Sequence, residues 1–381
     1  MDSRRWGGYS DGGIETIYLY GLQVVVLIFD AHLDLSFNAL TFNRDLRQPL
    51  SAIRSSEVGQ VDLPGRGRST VCFPEMRAAN IGICVATQLA GCMKPAGPGG
   101  GWNSSEIAWS VAQGQLAWYR SMEQAGELYQ ITNLQQLDSH VALWDTSPDE
   151  APIGYILTLE GADSIRTLDD LHLAHSQGLR ALGPAHYGYG RYSPGHDVKG
   201  PLTQQGRELV RMMDQLGMIL DVTHLSELAM LESLEIFSGP VWASHHNCRA
   251  LVDDPRQLTD EQIKSLAARG AVIGMAMDVW MVVPDWQRGK TTPADRSDAT
   301  LSALADHVDH ICQLLGSANH VGIGTDLDGG FGTEQTPADL DSIADVKKFV
   351  DILQQRGYGE DDLQRICHGN FLSFLRHAWG D

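Results

Sequence analysis

Short runs rich in Val, Ile and Leu alternate with longer segments whose apolar residues recur at helical spacing along most of the chain. This alternation predicts βαβ units and a parallel sheet. The runs that read as strands are Val24–Phe29, Ile83–Gln88, Tyr155–Leu159, Leu179–Pro184, Met218–Val222, Val241–Ala243, Ala271–Met277 and Val321–Thr325. Several are continuously apolar, as expected of strands covered on both faces. Between them, Thr203 opens a helix through Leu216 with Leu209, Val210 and Met213 on one side. Thr259-Asp-Glu-Gln262 reads as a capping box, and Gly270 as the helix stop before the seventh strand. Ser302–Leu315 repeats the pattern and ends at Gly316. Gly/Pro-rich stretches at Pro95–Gly101 and Pro284–Pro293 read as loops. No G-K-[S/T] follows the glycines near Gly99, so that stretch is not read as a phosphate loop.

Eight strands alternating with helices fit an α/β fold of the (β/α)8 TIM-type barrel class. The expected organisation is one domain over 1–381, with the barrel at about 22–335 and C-terminal helices at about 336–381. The length of 381 residues alone allows one large domain or two smaller ones. A 43% hydrophobic content supports a sizeable core. The formal charge of −20 argues against nucleic acid or an anionic membrane surface as partner. Cys72, Cys84, Cys92, Cys248, Cys312 and Cys367 are scattered, with no C-x-x-C pair, which suits free thiols in a reducing compartment. The apolar run Leu22–Phe29 is too short to span a bilayer and lacks a small-residue cleavage site. The expectation is a soluble, cytoplasmic protein with a loose glycine-rich terminus over Met1–Tyr20.

Candidate chemistry sits where the apolar runs end. The first strand leads into Asp30-Ala-His32-Leu-Asp34. Residues two apart on an extended chain face the same side, so His32 and Asp34 can converge on one ion, and both side chains are zinc donors. Alone, H-x-D equally suits a helix-capping Asp or a hydrogen-bonded His. The third strand ends at Glu160, the fourth runs into His186, the fifth into His224, the sixth into His245, and the eighth into Asp326 and Asp328. All would stand at the C-terminal mouth of a barrel, the face that hosts active sites in this architecture. His245 and His246 are adjacent and cannot both face the site. His140, His172, His175 and His307 fall away from the strand ends and read as surface or second-layer residues.

Asp30–Leu35, Leu157–Gly161, Gly178–His186, Pro201–His224, Pro240–Leu251, Val321–Gly330 and Gly369–Arg376, in that order, resemble the membrane (renal) dipeptidase family, peptidase family M19, of the amidohydrolase superfamily. The resemblance implies a binuclear zinc dipeptidase, with D-residues tolerated at the substrate's C-terminal position. It implies that His32 and Asp34 bind one zinc, His224 and His245 the second, and Glu160 bridges the two. A close pair of cations lowers the pKa of a shared water and polarises the scissile carbonyl. Asp326 matches the family's acid/base, with Asp328 as rival. His186 matches the non-ligand histidine that donates to the carbonyl oxygen as charge develops. Arg256 stands where the family binds the substrate carboxylate, a task suited to a guanidinium fork, with Arg249 as rival. A small dipeptide is the implied partner, and a homodimer is compatible.

The chain departs from the usual D-G-H-N-D-L-P form at Ala31, Leu33 and Ser36. The seventh strand's end carries Met277, Asp278 and Trp280 in place of the usual Asn and Tyr. With the loops Gly188–His196 and Pro284–Pro293, these positions are expected to reshape the pocket. A lipid-anchored attachment is not expected, because no hydrophobic C-terminal tail is present. Two other readings remain open: a hydrolase of another small amide, lactam or ester, and a non-catalytic binding protein on the same barrel.

Overall fold

The computed structural model describes residues 27–92 and 101–380. Among them run nine strands: β1 (Ile28–Leu33), β2 (Ile81–Leu89), β3 (Leu128–Gln130), β4 (Ile153–Glu160), β5 (Leu179–Gly183), β6 (Ile219–Asp221), β7 (Val241–Trp242), β8 (Ile273–Met275) and β9 (Val321–Ile323). Every pairing between them is parallel, in the order β7-β6-β5-β4-β2-β1-β9-β8. A parallel bridge from Ala243 to Ile273 joins the two ends of that order, giving a nearly closed eight-stranded barrel. Helices surround it. β3 is extra and flanks only the first residues of β4, Ile153–Tyr155, while β5 pairs with Leu157–Glu160.

Each expected strand has a counterpart, with shifted ends. Residues 24–26 of the first lie outside the described residues, as do Met1–Tyr20 and most of Pro95–Gly101. β1 extends past its apolar run because the buried, polar Asp30 pairs with Cys84 on one side and Ile323 on the other. The helix signals read as expected. Thr203 accepts from Gly206 N at the head of Gln204–Gln215, and Thr259 and Gln262 form the capping box of Asp260–Ala268. Gly316, at φ 71°, closes Leu301–Leu315.

β1, and β2 up to its last residue, are buried throughout, consistent with cover on both faces. The C-terminal helices Val346–Gln355 and Asn370–Trp379 complete the fold. Phe371 stacks on Phe29 at 4.8 Å and meets Trp242 edge-on, while Asn370 Nδ2 donates to the carbonyls of Ala318 and Val321. These contacts seal the N-terminal end of the barrel and leave the C-terminal end for chemistry. All six cysteines are unpaired. No helix among the described residues is long and apolar enough to cross a membrane.

Of the histidines set aside in the sequence, His172 is exposed, His175 is half-buried, and His140 and His307 are buried. His307 Nδ1 accepts from Cys248 N at 3.1 Å and its Nε2–H donates to Val282 O at 3.0 Å, tying two loops to one helix. Burial pushes its pKa down from 6.5 to about 4. The folded state therefore binds this proton more weakly than the unfolded chain. The stability it contributes is full above about pH 6.5 and is lost as pH falls towards 4. A shift of this size corresponds to about 3 kcal/mol. In urea unfolding, the gap between wild type and His307→Gln is expected to narrow progressively from pH 7 to pH 4. A gap independent of pH would remove the neutral buried imidazole from this account.

Candidate active site

The C-terminal ends of the barrel strands bring His32, Asp34, Glu160, His224, His245 and Asp326 into one cluster. Glu160 is the last residue of β4, and its Oε1 lies 3.6 Å from His32 Nε2, 3.1 Å from His224 Nε2 and 3.5 Å from His245 Nε2. His32 Nε2 also stands 3.9 Å from Asp34 Oδ1 and 3.8 Å from Asp326 Oδ1. Asp34 occupies the N-cap position of helix Leu35–Thr41 yet makes no capping bond; its Oδ1 accepts from Thr87 Oγ1 instead. That observation removes helix capping as the explanation of Asp34.

Buried polar groups outside the cluster aim these side chains. Ser244 Oγ meets His245 Nδ1 at 2.9 Å and His196 Nδ1 meets His224 Nδ1 at 3.2 Å, leaving both Nε2 atoms towards Glu160. Fixing one ring nitrogen to orient the other is the usual arrangement behind a metal-binding imidazole. Asp30 accepts from Thr325 N and Oγ1 and from His32 N, locking β1 to the loop that carries Asp326. His224 (φ 68°) and Asp326 (φ 58°) both adopt the left-handed conformation, a strain that persists where surrounding structure over-determines it. Gly329 is required beside Asp326, since a Cβ there would collide with Asp326 Oδ1.

Electrostatically, the cluster is short of positive charge. Burial pushes Asp34 up to about 6. Burial, reinforced by neighbouring carboxylates, holds Glu160 and Asp326 well above the usual carboxylate range. Burial lowers His32 to about 3, with Arg256 and His186 adding to the effect, and takes His224 and His245 well below 6.5. Neutral imidazoles beside crowded carboxylates are the donor set a divalent cation takes. Neither ring nitrogen of His32 has a hydrogen-bond partner among the described residues. The sets His32/Asp34/Glu160, Glu160/His224/His245 and His32/His245/Asp326 each keep their ligand atoms within 4.8 Å. The residues fit a metal centre, and Glu160 belongs to the first two sets.

The rival assignments separate on geometry. Asp328 is fully buried and accepts from Thr70 N and Oγ1, Ser69 Oγ, Val71 N and Arg44 Nη1. It fastens a distant loop and does not line the cleft. Arg249 is bound to Glu227 and to the carbonyls of Asp254, Pro255 and Gln257. Arg256 is buried in the cleft wall, donating through Nη2 to His245 O at 2.8 Å, with Nη1 unpartnered among the described residues. His246 joins none of the three ligand sets.

A cavity of about 320 Å³ opens over the cluster, bounded by Asp34, Glu160, His186, His224, Arg256 and Asp326. His186 packs against Tyr187 and His224, and burial lowers its pKa to about 3, so the ring is a neutral donor. Asp278 and Trp280, expected to reshape the pocket, do line it; Met277 is buried away from it and Met281 lines it instead. Tyr187 and Arg288 also line it, and neither was singled out in the sequence. Each borders or lies in a loop marked for specificity, which was the available signal. A larger groove, of about 930 Å³, lies at the opposite barrel end beside Pro240, Gly270 and Asn319, remote from every cluster residue.

A parallel barrel with a His/Asp/Glu/His/His cluster at its C-terminal mouth fits the class of metal-dependent hydrolases. The model of the membrane dipeptidase family, peptidase family M19, matches residues 20–379, and the chain belongs to that family, whose class is metal-dependent dipeptidase. It is 29% identical over 236 residues to dipeptidase tcpJ of Claviceps purpurea, covering 59% of this chain and 52% of that one. It is 28% identical over 218 residues to an uncharacterized protein in the pqqA 5' region of Klebsiella pneumoniae, covering 55% and 76%. The chain thus spans about half the length of the fungal dipeptidase it matches. In fold it is similar to a metallo peptidase from Rhodobacter sphaeroides solved with a phosphinate mimic of the dipeptide L-Ala-D-Ala. That likeness has a TM-score of 0.74 and 22% identity, over 93% of this chain and 99% of that one.

Proposed function

We propose that the protein is a two-zinc dipeptidase in which Glu160 is shared between the ions. The observation that carries this reading is the single Glu160 oxygen within 3.1–3.6 Å of three imidazole nitrogens, contributed by His32, His224 and His245. His32 and Asp34 hold one cation and His224 and His245 the other. When bound, the ions supply Lewis acidity, activating a water and polarising the substrate carbonyl.

The chain's own groups handle orientation and protons. Arg256 receives the substrate's terminal carboxylate, for which its unpartnered Nη1 is available. His186 donates a hydrogen bond to the carbonyl oxygen as negative charge develops on it. Asp326 takes the proton released by the attacking water and passes it to the leaving amine. A cavity of about 320 Å³ matches a substrate the size of a dipeptide. The phosphinate mimic bound by the Rhodobacter relative supports including C-terminal D-residues among the substrates.

The test is metal content per chain on protein purified without chelator, with hydrolysis of L,L and L,D dipeptides followed on the same sample. About two zinc ions per chain and amino acid release are expected. Two metals without turnover of any dipeptide would move the reading to another small amide, lactam or ester. Failure of folded protein to take up supplied metal would overturn it.

A further inference from the structure

The cleft holds a second cation that the proposed chemistry does not use. Arg288 rises from the loop after Trp280, and its guanidinium lies over the Trp280 ring at 5.2 Å and the Tyr187 ring at 5.8 Å. Its Nη1 donates to Tyr187 Oη at 3.0 Å. Three contacts to two aromatic side chains hold it at the lip of the cavity, although the residue as a whole is exposed to solvent. Among the described residues it forms no other hydrogen bond and no ion pair. Asp278 shares the cleft and its charge attracts Arg288, yet the two form no ion pair; the Asp278 carboxylate accepts instead from Trp280 Nε1 at 2.6 Å and from Gln335 Nε2 at 2.9 and 3.1 Å. Nε and Nη2 of Arg288 are therefore free for a ligand.

The position of this cation matters as much as its freedom. Tyr187 follows His186 and packs on His224, so Arg288 is anchored to the same wall as the proposed carbonyl donor and the His224/His245 half of the metal centre. Arg256, donating to His245 O, belongs to that wall as well. With Arg256 assigned to the α-carboxylate of the leaving residue, Arg288, which lines the same cavity, is left for that residue's side chain. A guanidinium pinned on aromatic faces binds a carboxylate bidentately with little further ordering, and lysine would not reproduce that fork. A neutral side chain would leave it unmatched.

We propose that Arg288 is a specificity-determining residue that selects substrates with an acidic side chain, aspartyl or glutamyl, on the C-terminal residue. The inference rests on the dipeptidase reading. Its test compares kcat/KM of the zinc-loaded enzyme for Ala-Asp against Ala-Asn and Ala-Glu against Ala-Gln, in both stereochemistries of the second residue, for wild type and Arg288→Gln. Wild type is expected to favour each acid over its isosteric amide by about tenfold or more, the range of one charge-assisted pair. In Arg288→Gln the ratio should fall to about one or below. A wild-type ratio near one, or a ratio unchanged by the substitution, overturns the assignment, even if all substrates slow together. Turnover of neutral dipeptides without acid preference would sink this inference alone; no turnover of any dipeptide would sink the reading beneath it. In that second case, calorimetric titration of the metal-loaded protein with aspartate against asparagine still decides the matter. Tighter binding of aspartate that disappears in Arg288→Gln supports the acid-binding subsite, and equal binding refutes it.

Discussion

Glu160→Ala is expected to abolish binding of both metal ions and to lower kcat/KM by about 10⁴ or more, equivalent to at least ~5 kcal/mol of transition-state stabilisation. The argument is geometric. One Glu160 oxygen lies within 3.6 Å of His32, His224 and His245, and in the proposed two-ion centre its removal would leave each ion with two protein donors. A closed site of two donors per ion does not retain zinc against dilution. Stability provides an independent signature. Without metal, Glu160 is a buried acid whose ionisation is opposed first by burial and then by Asp34 and Asp326. Deleting it relieves that repulsion, so metal-free Glu160→Ala should melt no lower than metal-free wild type. Metal-loaded wild type should melt above both, because a ligand at a hundred times its Kd stabilises by about 2.7 kcal/mol. Plasma emission spectrometry of dialysed protein and thermal melts with and without zinc check both expectations. A variant that kept one zinc per chain would show that the two halves do not depend on a shared carboxylate.

How much of this was legible in the sequence depends on the range of the interactions. The eight strands, and the polar residues at the ends of six of them, could be read because burial on both faces and a strand end leave local signatures. β3 left none: Leu-Tyr-Gln is too short to carry a period. Asp326 and Asp328 could not be told apart, since both follow the same strand with the same left-handed backbone. What separates them is that Ser69, Thr70 and Val71, some 260 positions earlier in the chain, fold back onto Asp328 alone. Arg249 and Arg256 likewise differ only in partners that the fold supplies. Thr87, Ser244 and Asp30 orient the cluster through contacts to neighbouring strands, and no pattern in their own surroundings marks them. Arg288 needed the loop's path as well, because its place over Trp280 and Tyr187 depends on a return of the chain from position 187 to position 288.

Asp326→Ala should retain both metal ions yet lose about 10³-fold in kcat, the range of a positioned acid/base group. This is the sharper test, because Asp326 lies within ligand reach. Its Oδ1 is 3.8 Å from His32 Nε2, and the trio His32, His245 and Asp326 is itself a plausible donor set. Two features favour proton transfer over coordination. Its side chain is the most exposed in the cluster, at 15% against 9% for Glu160 and 1–5% for the three histidines, so it borders the space where substrate and water must sit. Its loop is also held from behind by Asp30 through Thr325 and spaced by Gly329, which fixes the carboxylate without requiring an ion. Asp326→Asn sharpens the comparison, since the amide keeps the shape and can still bind metal through oxygen but cannot shuttle the proton. Full zinc content with turnover lost in both variants identifies the acid/base. Zinc lost in Asp326→Ala and kept in Asp326→Asn, with turnover kept alongside it, would instead make Asp326 a ligand. The proton would then have to travel by another of the groups lining the cleft.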